Sequence, residues 1–144
     1  MRKLIFTAST VALFLVINAC KKSSSTNSSA RTVQNLSGSY NLTALTAGFS
    51  GVTINLYDSL KPCEQDNLII LNSNLTAQFQ DVGIVCVPPE DSTGTWSLSA
   101  NTDSIYVGGT ANFIKSWDGK TLMLTTAQQV SGFPVTATST LVKK

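Results

Sequence analysis

The sequence predicts an all-β domain, a small antiparallel up-and-down β-barrel of eight to nine strands over residues 35–142, preceded by an export leader and a polar tether. Three observations carry that prediction. Apolar residues recur with period two from Leu36 onward, as half-buried strands require, and no run shows a helical stripe. Turn-forming pairs punctuate the runs, Asp118-Gly119 being the strongest hairpin signal. A sheet of that many strands avoids sticky edges most simply by closing on itself, the last strand against the first. A two-sheet sandwich is the competing geometry.

Residues 1–19 read as a signal peptide. Met1-Arg2-Lys3 is its positive start, and Leu4 to Ile17 is an uncharged, mostly apolar run of fourteen. A permanent transmembrane helix needs about 20 residues, so this run is too short to be one. It ends in Ile17-Asn18-Ala19-Cys20, which resembles the lipobox of bacterial lipoproteins. That resemblance implies acylation of the Cys20 thiol, which becomes the new N-terminus and anchors the chain in a membrane. Residues 20–34 follow as a Ser-rich stretch with little to bury, expected to be a flexible tether. Lys21 stands where the enterobacterial inner-membrane retention signal has an aspartate, which favours the outer membrane. The tether has lysines but lacks the acids of a surface-export signal, so the periplasmic face is expected.

Within the domain, strands are expected near 37–45, 51–57, 67–71, 75–82, 94–100, 104–108, 111–117, 120–126 and 134–142. Their apolar phases include Tyr40-Leu42-Ala44, Val52-Ile54-Leu56, Leu75-Ala77-Phe79, Trp96-Leu98-Ala100, Ile105-Val107, Leu122-Leu124 and Val135-Ala137. Asn72-Ser73-Asn74, Gly108-Gly109 and Asp118-Gly119 separate neighbouring runs, which favours sequential order. The 18 Ser and 18 Thr, a quarter of the chain, suit the solvent-facing strand positions of an exported protein.

Composition excludes several function classes. The chain has no His, which removes Ser/His and Cys/His catalysis and every imidazole metal site. Residues 35–142 carry three Lys against eight Asp and Glu, a net charge of −5, so the domain has no electrostatic attraction to nucleic acid. With Cys20 acylated, Cys63 and Cys86 remain as an even pair in an oxidising compartment, and a structural disulfide is expected. Glu64 and Asp66 are near enough to suggest paired acid and base, but a polar turn before the strand at 67–71 is the expected role. Glu90-Asp91 lacks the ligand spacing of a calcium loop. No metal, no cofactor and no enzymatic activity are expected.

Taken together, Leu36-Ser37-Gly38-Ser39-Tyr40, Cys63-Glu64-Gln65-Asp66-Asn67, Cys86, Gly94-Thr95-Trp96-Ser97-Leu98 and the hairpin from Phe113 to Leu124 resemble the lipocalin-like domain of small Bacteroidota lipoproteins. The likeness spans most of residues 34–128. Tyr40 replaces the first Trp of that pattern, and the C-terminal helix of larger lipocalins is absent from the sequence. The resemblance implies a small barrel that admits an apolar molecule at its mouth, without naming the ligand, because eight-stranded barrels are also found filled by side chains.

The candidate ligand-lining residues are the large side chains assigned to inward phases: Tyr40, Phe79, Trp96 and Phe113. A packed core built from the same four is the alternative. The competing function is an envelope interaction or inhibitor protein, similar to lysozyme inhibitors, acting through the loop Pro88-Pro89-Glu90-Asp91-Ser92-Thr93 with a filled barrel. Asp58-Ser59-Leu60, Asp91-Ser92-Thr93 and Asp103-Ser104-Ile105 resemble the Bacteroidota O-glycosylation acceptor, making Ser59, Ser92 and Ser104 candidate modification sites. A monomer, a membrane reached through the lipid anchor and a small hydrophobic ligand complete the expected partners.

Overall fold

The computed structural model describes residues 30–144. A short helix α1 (Val33–Leu36) leads into β1 (Gly38–Phe49) and β2 (Val52–Asn55), followed by a 3-10 turn at Tyr57–Ser59 and helix α2 (Pro62–Gln65). Seven more strands complete the chain: β3 (Leu68–Leu71), β4 (Thr76–Gln80), β5 (Ser92–Leu98), β6 (Ser104–Val107), β7 (Thr110–Trp117), β8 (Thr121–Val130) and β9 (Phe133–Lys143). All pairings are antiparallel. Strands β1 and β3–β9 form a closed ring through the β1–β9 pairing, and β2 is an extra strand against the upper part of β1. The barrel expectation therefore holds and the sandwich does not. The β1 edge is shared, its first residues pairing with β3 and its last with β2.

One end of the barrel is plugged. Thr32 caps α1 by accepting the Asn35 amide on its hydroxyl at 3.2 Å, as an N-cap should. The helix pushes Leu36 into the barrel floor, where it is fully buried beside Tyr40, Trp117 and Leu122. The Tyr40 hydroxyl donates to the Leu36 carbonyl at 2.6 Å, and the Lys143 ammonium donates to the Asn35 carbonyl at 2.9 Å. These bonds satisfy two carbonyls that α1 is too short to pair internally. Gly38 follows with φ +152, and a Cβ there would sit 2.2 Å from the Lys143 Cε, so this turn into β1 requires glycine. Val33 and Gln34, expected in the tether, belong to α1, and β9 ends at Lys143. Among the described residues, 33–143 hold the core cluster and the ring of strands.

The other end is the mouth, and it is lopsided. β1, β8 and β9 run 12, 10 and 11 residues, whereas β3, β4 and β6 run 4, 5 and 4. The long strands make a tall wall whose hairpin tips overhang the opening.

Two irregularities correct the expected phases. A bulge at Thr43 sets Leu42 opposite Leu141 and Leu45 opposite Ser139, so Leu45 rather than Ala44 continues the inner face. A second bulge, between Ile114 and Ser116, places Trp117 on the inner face with Ile114. Leu75 also leaves its expected phase, lying in the β3–β4 turn with φ +68.

Candidate functional site: the barrel interior and its mouth

Above the plugged floor, the inner faces of β1, β3, β6, β8 and β9 surround a half-enclosed cavity of about 190 Å³, with Leu42, Ile69, Ile105, Val107 and Leu124 among its walls. Asn112 of β7 and Ser139 of β9 are its two polar lining residues. Ile69 and Val107 also line an adjoining space of about 350 Å³ that includes Ala77, Phe79, Ser92 and Gly94. The interior therefore continues to the mouth along β3 and β6. Strand pairing explains the lining: Phe79 faces Ile69 across β4–β3, and Val107 faces Trp96 across β6–β5, all on one phase.

The four predicted lining residues separate. Phe79 lines the mouth space. Tyr40 and Trp96 are core residues, with 0% and 2% of their surface exposed, and the Trp96 indole donates to the Asn72 carbonyl at 2.8 Å. Phe113 is a correction: it lies on the outer wall opposite Ser104 and Thr125, 55% exposed, because its neighbour Ile114 occupies the inner phase. The packed-core alternative thus describes Tyr40 and Trp96.

Sequence reasoning missed Asn112 and Ser139. Their one signal was phase: Asn112 shares a face with Ile114, and Ser139 with Leu141, so each is a polar residue in an apolar series. It also missed the tips of the tall wall. There Phe49 and Phe133 pack edge to face at 5.5 Å, partly exposed, with Val52 and Val130 in register beside them.

Cys63 and Cys86 form the expected disulfide, with an S–S distance of 2.04 Å and a Cα–Cα distance of 5.2 Å. It ties α2 to the β4–β5 loop at the mouth. The acidic residues nearby hold that loop. Asp66 accepts the Ile84 amide at 2.8 Å, and Asp81 accepts the Cys86 and Glu90 amides at 2.9 and 3.2 Å. Asp91 accepts the Asp81 amide at 2.9 Å. Glu64 caps α2 through the Lys61 amide at 2.8 Å and pairs with the Lys61 ammonium at 3.1 Å; both contacts hold its carboxyl below the usual range. Glu64 and Asp66 accordingly work as local backbone acceptors, and Asp91 in the proposed inhibitor loop is turned back onto its own chain.

Of the candidate acceptors, Ser59 and Ser92 are exposed. Ser104 is a correction: it is 5% exposed and its hydroxyl donates to Asp103 at 2.9 Å, because Asp103 and Ser99 fold over it. A glycosyltransferase has no access to that oxygen in the folded domain. Cys20 and the leader lie outside the described residues. Among the described residues, no helix is long and apolar enough to cross a membrane.

These features define a closed eight-stranded antiparallel barrel with one plugged end and an apolar interior reached from the other. No protein-family model matches the chain, and no curated protein matches it.

Proposed function

We propose that this chain is a lipid-anchored, lipocalin-like envelope protein that binds a small apolar molecule inside its barrel and performs no catalysis. The observation that carries the reading is the aliphatic cavity of about 190 Å³ opening through Ile69 and Val107 to the mouth. An apolar cavity of about 150 Å³ stays dry and takes up a benzene-sized guest, so this interior is large enough for a ligand or for one end of a longer one. Binding would add dispersion contacts with the aliphatic walls and bury apolar ligand surface. The anchor is Cys20, the site is the periplasmic face of the outer membrane, and the protein works as a monomer. Ser59 and Ser92 are the acceptors if the chain is O-glycosylated.

Native mass spectrometry on the chain recovered from envelope fractions tests the binding function. The expected result is an adduct present in the native spectrum and lost on denaturation. A bare polypeptide mass under both conditions, with no uptake of added apolar probes, would contradict it. The anchor is tested separately: the recovered chain should begin at Cys20 carrying acyl mass, and Cys20→Ala should abolish that mass.

A further inference from the structure

The inner cavity and the mouth space share a second property: among the described residues, neither is lined by any Lys, Arg, Asp or Glu. The polar contribution to the inner cavity comes from Asn112 and Ser139 alone. The Asn112 carboxamide is oriented by its neighbours. Its nitrogen donates to the Thr110 carbonyl at 2.9 Å, which fixes which atom is which, and its oxygen accepts the Thr126 hydroxyl at 2.5 Å. That leaves one N–H and one oxygen lone pair unused. The Ser139 hydroxyl takes part in none of the side-chain hydrogen bonds among the described residues, and Ser139 sits on the inner face opposite both Leu45 and Leu124.

We propose that the barrel selects neutral ligands that carry one hydroxyl, carbonyl or amide group on an apolar body, that Asn112 and Ser139 hold this group, and that carboxylates of the same length are excluded. The inference rests on the reading of the barrel as a ligand carrier and adds the chemical class. A neutral hydroxyl can both donate and accept, which matches the unused capacity of the pair. A carboxylate brought into an aliphatic cavity with no cation beside it would lose its hydration uncompensated, so it enters only after taking up a proton. Neutral apolar molecules without any polar group would enter too, but would leave Asn112 and Ser139 unanswered.

The test is calorimetric titration of residues 30–144, which contain the complete barrel, with 1-octanol, octanoate and toluene. Octanol should bind at pH 7 and show no pH dependence between 5 and 7. Octanoate has a carboxyl pKa near that of Glu, about 4.3, so its apparent affinity should fall about tenfold per pH unit and lie roughly 100-fold or more below octanol at pH 7. Ser139→Ala and Asn112→Leu should each weaken octanol by about 2- to 10-fold, the effect of one hydrogen bond, and leave toluene unchanged. Ser139→Ala removes only one oxygen and protects the test if Asn112→Leu disturbs folding. Equal binding of octanol and octanoate at pH 7 would overturn the selectivity and leave the carrier function standing. Octanol affinity insensitive to both substitutions would overturn the role of Asn112 and Ser139. Failure of all three probes would defeat the carrier function itself.

Discussion

The disulfide offers a prediction whose size follows from chain topology. Cys63 and Cys86 are separated by 23 positions. In the chain-entropy model, opening a loop of that length releases entropy to the unfolded chain worth about 3 kcal/mol at 25 °C. The perturbation is Cys63→Ser with Cys86→Ser, made together so that neither leaves an unpaired thiol. Urea unfolding followed by Trp fluorescence is the assay, since Trp96 and Trp117 are both buried and report loss of the core. With an m-value of about 2 kcal/mol/M, the midpoint should drop by about 1.5 M while the transition stays cooperative. Cooperativity should survive because the ring of strands closes without the bond, and because Asp66 and Asp81 hold the β4–β5 loop through backbone amides. A midpoint shift below about 0.3 M would refute the entropic reasoning by showing that the unfolded chain already keeps this loop closed. A broad, non-cooperative transition would refute the claim that the loop is independently held.

Other substitutions test the core, the floor and a turn. Leu122→Ala, at a fully buried floor position, should cost about 2–5 kcal/mol by calorimetry, whereas Phe113→Ser on the outer wall should cost less than about 1 kcal/mol. Equal costs would contradict the assignment of β7 faces. The Tyr40 phenol is pushed up to about 12 by burial, against about 10 in an unfolded chain. The folded protein then holds that proton more tightly, so the associated stability, about 3 kcal/mol, is complete below pH 10 and lost as pH rises through 12. Tyr40→Phe should flatten this alkaline fall relative to the wild type while costing about 1 kcal/mol at neutral pH for the lost bond to Leu36; an unchanged alkaline profile would count against it. Asp118 accepts the Thr121 and Lys120 amides at 2.6 and 2.8 Å, which holds its carboxyl below the usual range. Its contribution is therefore present at neutral pH and disappears as pH falls through that lowered value. Asp118→Ala should lower the melting temperature at pH 7 and converge with wild type at strongly acidic pH, and a constant gap across pH would contradict the role.

Much of this architecture was legible because alternation is a direct consequence of strand geometry. The run Leu68–Leu71 was expected one residue longer and the run Thr121–Val130 three residues shorter, yet all nine strands fall where period two placed them. Closure was legible because a sheet of that many strands avoids exposed edges most simply by pairing its last strand with its first. Bulges were not, because one inserted residue changes phase without changing composition. In β7, strict alternation groups Phe113 with Trp117; the bulge near Lys115 brings Trp117 to the face of Ile114 and leaves Phe113 outside. Asn112 was missed for the related reason that a single Asn beside an aromatic residue reads as solvent-facing. The plug was hidden in a segment resembling tether, where Thr32 is a cap only because Asn35 and Leu36 follow it. The disulfide, by contrast, was legible from the even pair that Cys63 and Cys86 make once Cys20 is read as the lipidation site.

The central claim is that the barrel holds an accessible apolar space above its packed floor. Xenon-pressurised crystals of residues 30–144 test it most directly, because xenon enters dry aliphatic cavities of this size. The account predicts xenon density among Leu42, Ile105 and Leu124, within reach of Ser139. Density confined to the outer surface, with those side chains in mutual contact across the barrel, would contradict it and make the outer wall and the mouth loops the working surface.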